Sequence, residues 1–168
     1  MSVKWTVRVV LPILAVLALL SIPRPGGAQT QATPPELSLA DALGLINAAH
    51  ADAAAKNLRL TVAVVNQRGD VIAVGRMDGA NPGTVDTAIG KAMVSAIFGL
   101  PSAALVSRAG TPIGQGVNAH TSGRLRFLQG AWPIVRGGFT VGAIAGSGAS
   151  AQQDEDAVKA ALAAAAPR

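Results

Sequence analysis

The chain has 168 residues, about one domain's worth, and half of it is hydrophobic, yet only 3% is aromatic and 14% charged, against a typical charged share of about 25%. It has no Cys and no Tyr, which excludes a disulfide scaffold and any zinc or iron–sulfur centre held by thiolates. The formal charge of +5 comes from 14 basic and 9 acidic residues, but three of the basic ones and none of the acids lie in the first 28 positions, so the rest carries +2, and no basic run with interleaved aromatics points to nucleic acid.

Lys4 and Arg8 precede an apolar run from Val9 to Ile22, interrupted only by Pro12 and Ser21, and Gly26, Gly27 and Ala28 follow. A basic start, an apolar middle and a small-residue end are the order of a secretory signal peptide. The expected organisation is a signal peptide over residues 1–28, a polar linker over 29–36 and one domain over 37–166. The apolar run is shorter than the roughly 20 residues that span a bilayer, so no stable membrane anchor is expected after cleavage. The mature chain would be exported, periplasmic or extracellular, where a chain without Cys cannot misoxidise to a disulfide.

Ser38 followed by Asp41 resembles a capping box and opens a helix to about Asn57. Leu39, Leu43, Ile46 and His50 share one stripe of that helix, which places His50 on its apolar side. Leu60 to Asn66 reads as a buried strand, Asn66 to Gly69 as a turn, and Asp70 to Met77 as the second strand of a hairpin. After a loop from Asp78 to Gly83, Thr84 is the expected N-cap of a helix ending near Gly99. Its Lys91 and Phe98 lie on a different face from Val85, Ile89, Ala92 and Ala96. A short helix is expected over Pro101 to Arg108, and Ala109 to Gly123 reads as an irregular loop. Short strands are expected at Leu125–Leu128, Trp132–Val135 and Phe139–Ala145. Ser150 with Gln153 caps a last helix from Ala151 to Ala165. Strands joined by short turns are antiparallel, so the fold class is α+β.

Two imidazoles are available, His50 and His120. A nucleophilic serine has no Gly-x-Ser-x-Gly elbow, and Gly146-Ser147-Gly148 reads as a tight turn between strand and helix. The densest polar cluster is Arg76-Met77-Asp78-Gly79-Ala80 at a strand end, where loops often carry sites. An Arg–Asp pair bracing the turn is the alternative there. Lys91, on a mostly apolar helix, is either a perturbed base or a snorkelling lysine.

These residues resemble those of a known family. Val62 to Asn66, Gly69, Arg76 to Ala80, Lys91-Ala92, Phe98 and Pro101-Ser102 form one block. Gly137-Gly138, Val141 to Ile144, Gly146 to Ala149 and Gln153 to Glu155 form a second. Together they resemble the GlcG/HbpS-type, or haem-degrading domain, family over about Leu37 to Ala166. The resemblance implies a profilin-like antiparallel sheet flanked by helices, a homo-oligomer, and binding of a tetrapyrrole, haem or less commonly a corrinoid. Two positions depart from the pattern, Asn66 where Asp is usual and Ala145 where Gly is common.

Haem iron takes His, Cys, Met or Tyr, so the mature candidates are His50, His120, Met77 and Met93, with His50 preferred. Arg76, Arg124, Arg126 or Arg136 would pair with propionates, and Phe98, Phe127, Trp132 and Phe139 would offer flat apolar contacts. The candidate cofactor-binding set is therefore His50, His120, Arg76, Met77, Asp78 and Lys91, with His50 on the metal. The first function is an exported haem-binding protein in haem sequestration or redox sensing. The alternatives are a small-molecule enzyme or accessory protein of glycolate or diol metabolism using Lys91, Arg76 and Asp78, and a structural or sensory oligomer without haem.

Overall fold

The computed structural model describes Met1 and residues 36–165; the predicted signal peptide after Met1, the linker up to residue 35 and the last three residues lie outside them. The elements are α1 (Leu39–Ala55), β1 (Thr61–Asn66), β2 (Val71–Arg76), α2 (Thr84–Phe98), a 3-10 helix (Ser102–Gly110), α3 (Pro112–His120), β3 (Ala131–Arg136), β4 (Phe139–Ser147) and α4 (Ala151–Ala165). The four strands form one antiparallel sheet in the order β2-β1-β4-β3. The expected α+β class, with helices flanking an antiparallel sheet, is what the chain adopts.

Side chains alternate across a strand, and each face of the sheet builds its own core. Val62, Val64 and Ile144 pack with α1 and α4 on one side. Val65, Ala143 and Ala145 pack with α2, the 3-10 helix and Phe127 on the other. Alanine dominates the first core: Ala42, Ala49 and Ala53 of α1 and Ala157 and Ala161 of α4 are fully buried. Such short side chains let two helices lie close together on a small sheet, so an aromatic-poor chain can still exclude water.

Both predicted capping boxes form. Ser38 Oγ accepts from the Asp41 N–H while the Asp41 carboxylate accepts from the Ser38 N–H, and Ser150 and Gln153 exchange the same bonds. Four expectations need correction. Leu125–Leu128 is not a strand: the Leu125 N–H donates to Asn118 Oδ1 and the Arg126 N–H to the Gly90 carbonyl. Gly90 permits this, because a Cβ there would stand 2.5 Å from the Arg124 carbonyl oxygen. The stretch from Ala109 to Gly123 is not irregular but largely α3. Its cap is Thr111, whose Oγ accepts from the Gly114 N–H, and Pro112 sits in the first turn. Thr84 is the first residue of α2 rather than its cap, and its hydroxyl donates to the Asn81 carbonyl and meets Thr61 Oγ1. Finally, the Leu39–Leu43–His50 stripe is not the buried face of α1. Leu39 is 57% and Leu43 46% exposed, because α1 is apolar nearly all round and its core face is carried by Ala42, Leu45, Ile46, Ala49 and Ala53.

Candidate functional site

The residues that carry the family resemblance converge on one end of the sheet. Arg76 of β2 pairs with Thr61 of β1, which pairs with Ser147 of β4. Lys91 reaches this end from α2. It is 4% exposed, and its Nζ donates to Asp154 Oδ2 at 2.8 Å and to the Gly146 carbonyl at 3.1 Å. Asp154 Oδ1 in turn accepts from the Ala149 N–H, in the first turn of α4, where backbone N–H groups favour an anion. Gly146 is required, since a Cβ would lie 2.8 Å from the Asp154 carbonyl oxygen, and a Cβ at Gly130 would lie 2.9 Å from Lys91 Nζ. Lys91 thus stitches the α2 layer to the α4 layer. Neither snorkelling nor free basicity describes it.

The Arg76–Ala80 cluster is also largely self-satisfied. The Arg76 guanidinium donates to the Ala80 carbonyl at 2.7 Å, so the turn is braced by a backbone carbonyl, and the alternative Arg–Asp pair does not form among the described residues. Asp78 is exposed. Met77 packs against the α1 core, and its Sδ accepts from the Leu60 N–H at 3.4 Å. Ser147 is 5% exposed, and Ser102 spends its hydroxyl on the Ala131 N–H. The two departures from the family pattern are accommodated: Asn66 Oδ1 accepts from the N–H groups of Arg68 and Asp70, closing the turn as an Asp would, and Ala145 is buried beneath α2.

His50 differs from these. It leaves α1 toward the edge strand β2, where its Nε2 lies 3.2 Å from the Gly75 carbonyl. A side chain at Gly75 would stand 2.6 Å from Ile46 Cγ2 and 2.9 Å from His50 Cε1, so glycine makes the space the imidazole uses. Burial lowers the His50 pKa below its ordinary 6.5, opposed more weakly by the Gly75 carbonyl. The ring is therefore neutral at neutral pH, with Nδ1 uncommitted among the described residues. His120, in the last turn of α3, is exposed. Met93 is 4% exposed in the core under α2. Of the six candidate residues, then, Arg76, Met77 and Lys91 have partners that hold the fold, while His50 keeps the Nδ1 lone pair free.

A feature the sequence did not suggest lies on the other flank of α1. Asp41, Gly44 and Leu45, β3 from Trp132 to Arg136, and Leu162 and Ala165 of α4 line a groove of about 860 Å³. At its mouth the Arg136 guanidinium grips Asp41 through two nitrogens, at 3.1 and 3.2 Å. That contact, with the Ser38 hydrogen bonds, holds the Asp41 carboxyl well below the usual carboxylate range. No group of three or more His, Cys, Asp or Glu side chains arranged for a metal occurs among the described residues.

The model of the family described as "Haem degrading protein HbpS-like" matches residues 37–163. HbpS of Streptomyces reticuli, solved as a double mutant, superimposes with a TM-score of 0.70 at 28% identity, over 87% of this chain and 97% of that one. A structure described as a PduOC:haem complex gives a TM-score of 0.68 at 26% identity, over 77% and 95% of the two chains. The Klebsiella pneumoniae protein ORFY shares the fold, with a TM-score of 0.71 at 21% identity over 82% and 97%. No curated protein sequence matches the chain.

Proposed function

The chain belongs to the HbpS-like haem-degrading protein family, and from that premise we propose that it is an exported haem-binding protein, serving haem sequestration or redox sensing, with His50 as the iron ligand. Family membership and likeness to a chain solved as a haem complex support haem as the ligand class. The observation that carries the assignment to His50 is its setting. The imidazole is kept neutral by burial, and a neutral ring is the form that ligates a metal. It also continues a helical stripe in which Ile46 is buried in the core while Leu39 and Leu43 are exposed leucines.

These residues fit the group in chemistry: a nitrogen donor for iron and apolar side chains for the macrocycle. Bound haem would supply a redox-active iron. The chain's part is to present Nδ1 with the ring fixed through Nε2 and Gly75, an orienting bond of the kind that ligating histidines use. Simple binding fits the site better than an enzyme on a carbonyl or acid substrate, because Lys91, the candidate base, is already committed to a carboxylate and a carbonyl. The exposed leucines also suit a homo-oligomer, whose native mass would report it.

The test is a hemin titration of the purified protein. A saturable Soret shift is expected, lost in His50→Ala and retained in His120→Ala. No saturable shift in the unsubstituted protein would sink the reading, and loss in His120→Ala alone would move the ligand to His120. Repeating the titration with a corrinoid separates the two tetrapyrroles.

A further inference from the structure

We infer that the groove between α1, β3 and α4 is a second small-molecule site, built for a flat apolar body carrying a single carboxylate. It is separate from the His50 surface. His50 leaves α1 toward β2, one edge of the sheet, whereas the groove opens along β3, the other edge.

The floor and walls are apolar. Leu45, Ile134, Leu162 and the Trp132 indole line them, and Gly44 leaves the α1 wall bare. An apolar cleft with few polar groups is the usual form of a small-molecule site. The indole is held in place: Lys159 sits over it, 5.0 Å from the ring centroid, as a cation–π pair does. It does so although Glu155, one turn earlier on α4, is 6% exposed with its Oε2 lacking any hydrogen-bond partner among the described residues. An i,i+4 Glu–Lys pair in that order is normally favourable, so the ring outcompetes a nearby carboxylate for this cation.

Charge decides the ligand's polar end. Arg136 is the cation in the groove's lining. The only acid in its lining is Asp41, which is already engaged by the Ser38 N–H, the Ser38 hydroxyl and Arg136. A guanidinium has five N–H donors, and Asp41 takes contacts with two nitrogens. Arg136 therefore retains donors for a second carboxylate without releasing the first, and an arginine fork matches that group's geometry. A neutral ligand would leave that capacity unused.

The experiment uses 2-naphthoate as the probe with the full chain, followed by calorimetry and Trp fluorescence. Saturable one-to-one binding is expected, with 2-naphthamide, the same body without charge, at least ten-fold weaker. Arg136→Gln should weaken naphthoate by at least ten-fold. Because Arg136 also braces Asp41, a second variant avoids that contact. A Cβ at Gly44 meets nothing within 4 Å, so Gly44→Leu should fold, fill the groove and abolish naphthoate binding while leaving the hemin response of His50 intact. Absence of naphthoate binding, amide as tight as acid, or binding indifferent to Gly44→Leu would each overturn the inference. So would loss of the hemin response in Gly44→Leu, since the groove would then belong to haem. The hemin response lost in His50→Ala is read separately, so this inference and the haem reading fail independently.

Discussion

Lys91 and His50 are ionisable side chains on opposite sides of one sheet, each beside a glycine that makes room for it, yet their chemical freedom is opposite. Lys91 has its charge met by Asp154 and a further donor met by the Gly146 carbonyl, at 5% and 3% side-chain exposure for the pair. His50 is half-buried, meets one carbonyl through one nitrogen and keeps the other nitrogen open. Burial beside a catalytic-looking motif therefore does not make a site. A site needs donor or acceptor capacity that the fold leaves unspent, and of these two side chains His50 has it.

The largest effect that would break this contrast lies at Lys91. Removing one partner of a buried ion pair leaves an uncompensated charge, which costs about 3–5 kcal/mol. Lys91→Met and Asp154→Leu should each lower the unfolding free energy by that amount in urea denaturation followed by circular dichroism. The double variant should recover most of the loss, since apolar replacements of both partners are often neutral or stabilising. A double variant as unstable as the two losses added would mean that the pair is not what these residues contribute. Borohydride with a small carbonyl compound should leave Lys91 unlabelled in the folded protein, and labelling there would reopen the enzyme reading.

A smaller effect sharpens the other half. Gly75→Ala would press a methyl group against Ile46 and the His50 ring, and overpacking of this kind costs about 1–3 kcal/mol. The imidazole must shift with it, so the hemin Soret response should weaken as well. Gly44→Ala on the same helix meets open space, and replacing an unconstrained helical glycine should stabilise by about 0.5–1 kcal/mol. Equal outcomes at the two glycines would show that the His50 pocket is not tightly packed.

Much of this was legible in the sequence where local chemistry dictates local structure. The Ser38 and Ser150 boxes, the Asn66 turn and the Gly137-Gly138 hairpin announce themselves because a few neighbouring atoms decide them. Thr111-Pro112 carried the same kind of signal for α3, a cap and a first-turn proline, and was masked by the glycines around it. The stripe of α1 was misread because Ala and Leu occur on every side of that helix, so periodicity alone could not say which side the sheet would take. Leu125–Leu128 has a strand's composition, but Gly90, 35 positions earlier, lets it lie on α2. The partners of Lys91 and Arg76 were hidden for the same reason. Asp154 is 63 positions from Lys91, and a backbone carbonyl such as that of Ala80 leaves no mark in a sequence.

The pH dependence of stability offers the smallest and most specific test of His50. Burial lowers its folded pKa beneath the ordinary 6.5, so the unfolded chain takes up the proton more readily. Stability from this group should therefore be fully present above about pH 6.5, fall as pH drops toward the folded pKa, and level off below it. Asp41 contributes in a separate window: its carboxyl is held below the ordinary 3.8, so its contribution is present above that value and lost only at lower pH. Between about pH 6.5 and 5 the slope should thus belong to His50. Chemical denaturation across that range should show the slope in the unsubstituted protein and in His120→Ala, and a flat line in His50→Leu. The hemin response should decline over the same window, because the protonated ring offers no lone pair to iron. A slope that survives in His50→Leu would mean that the proton uptake belongs to another group, and the distinction between His50 and His120 as iron ligands would lose this support.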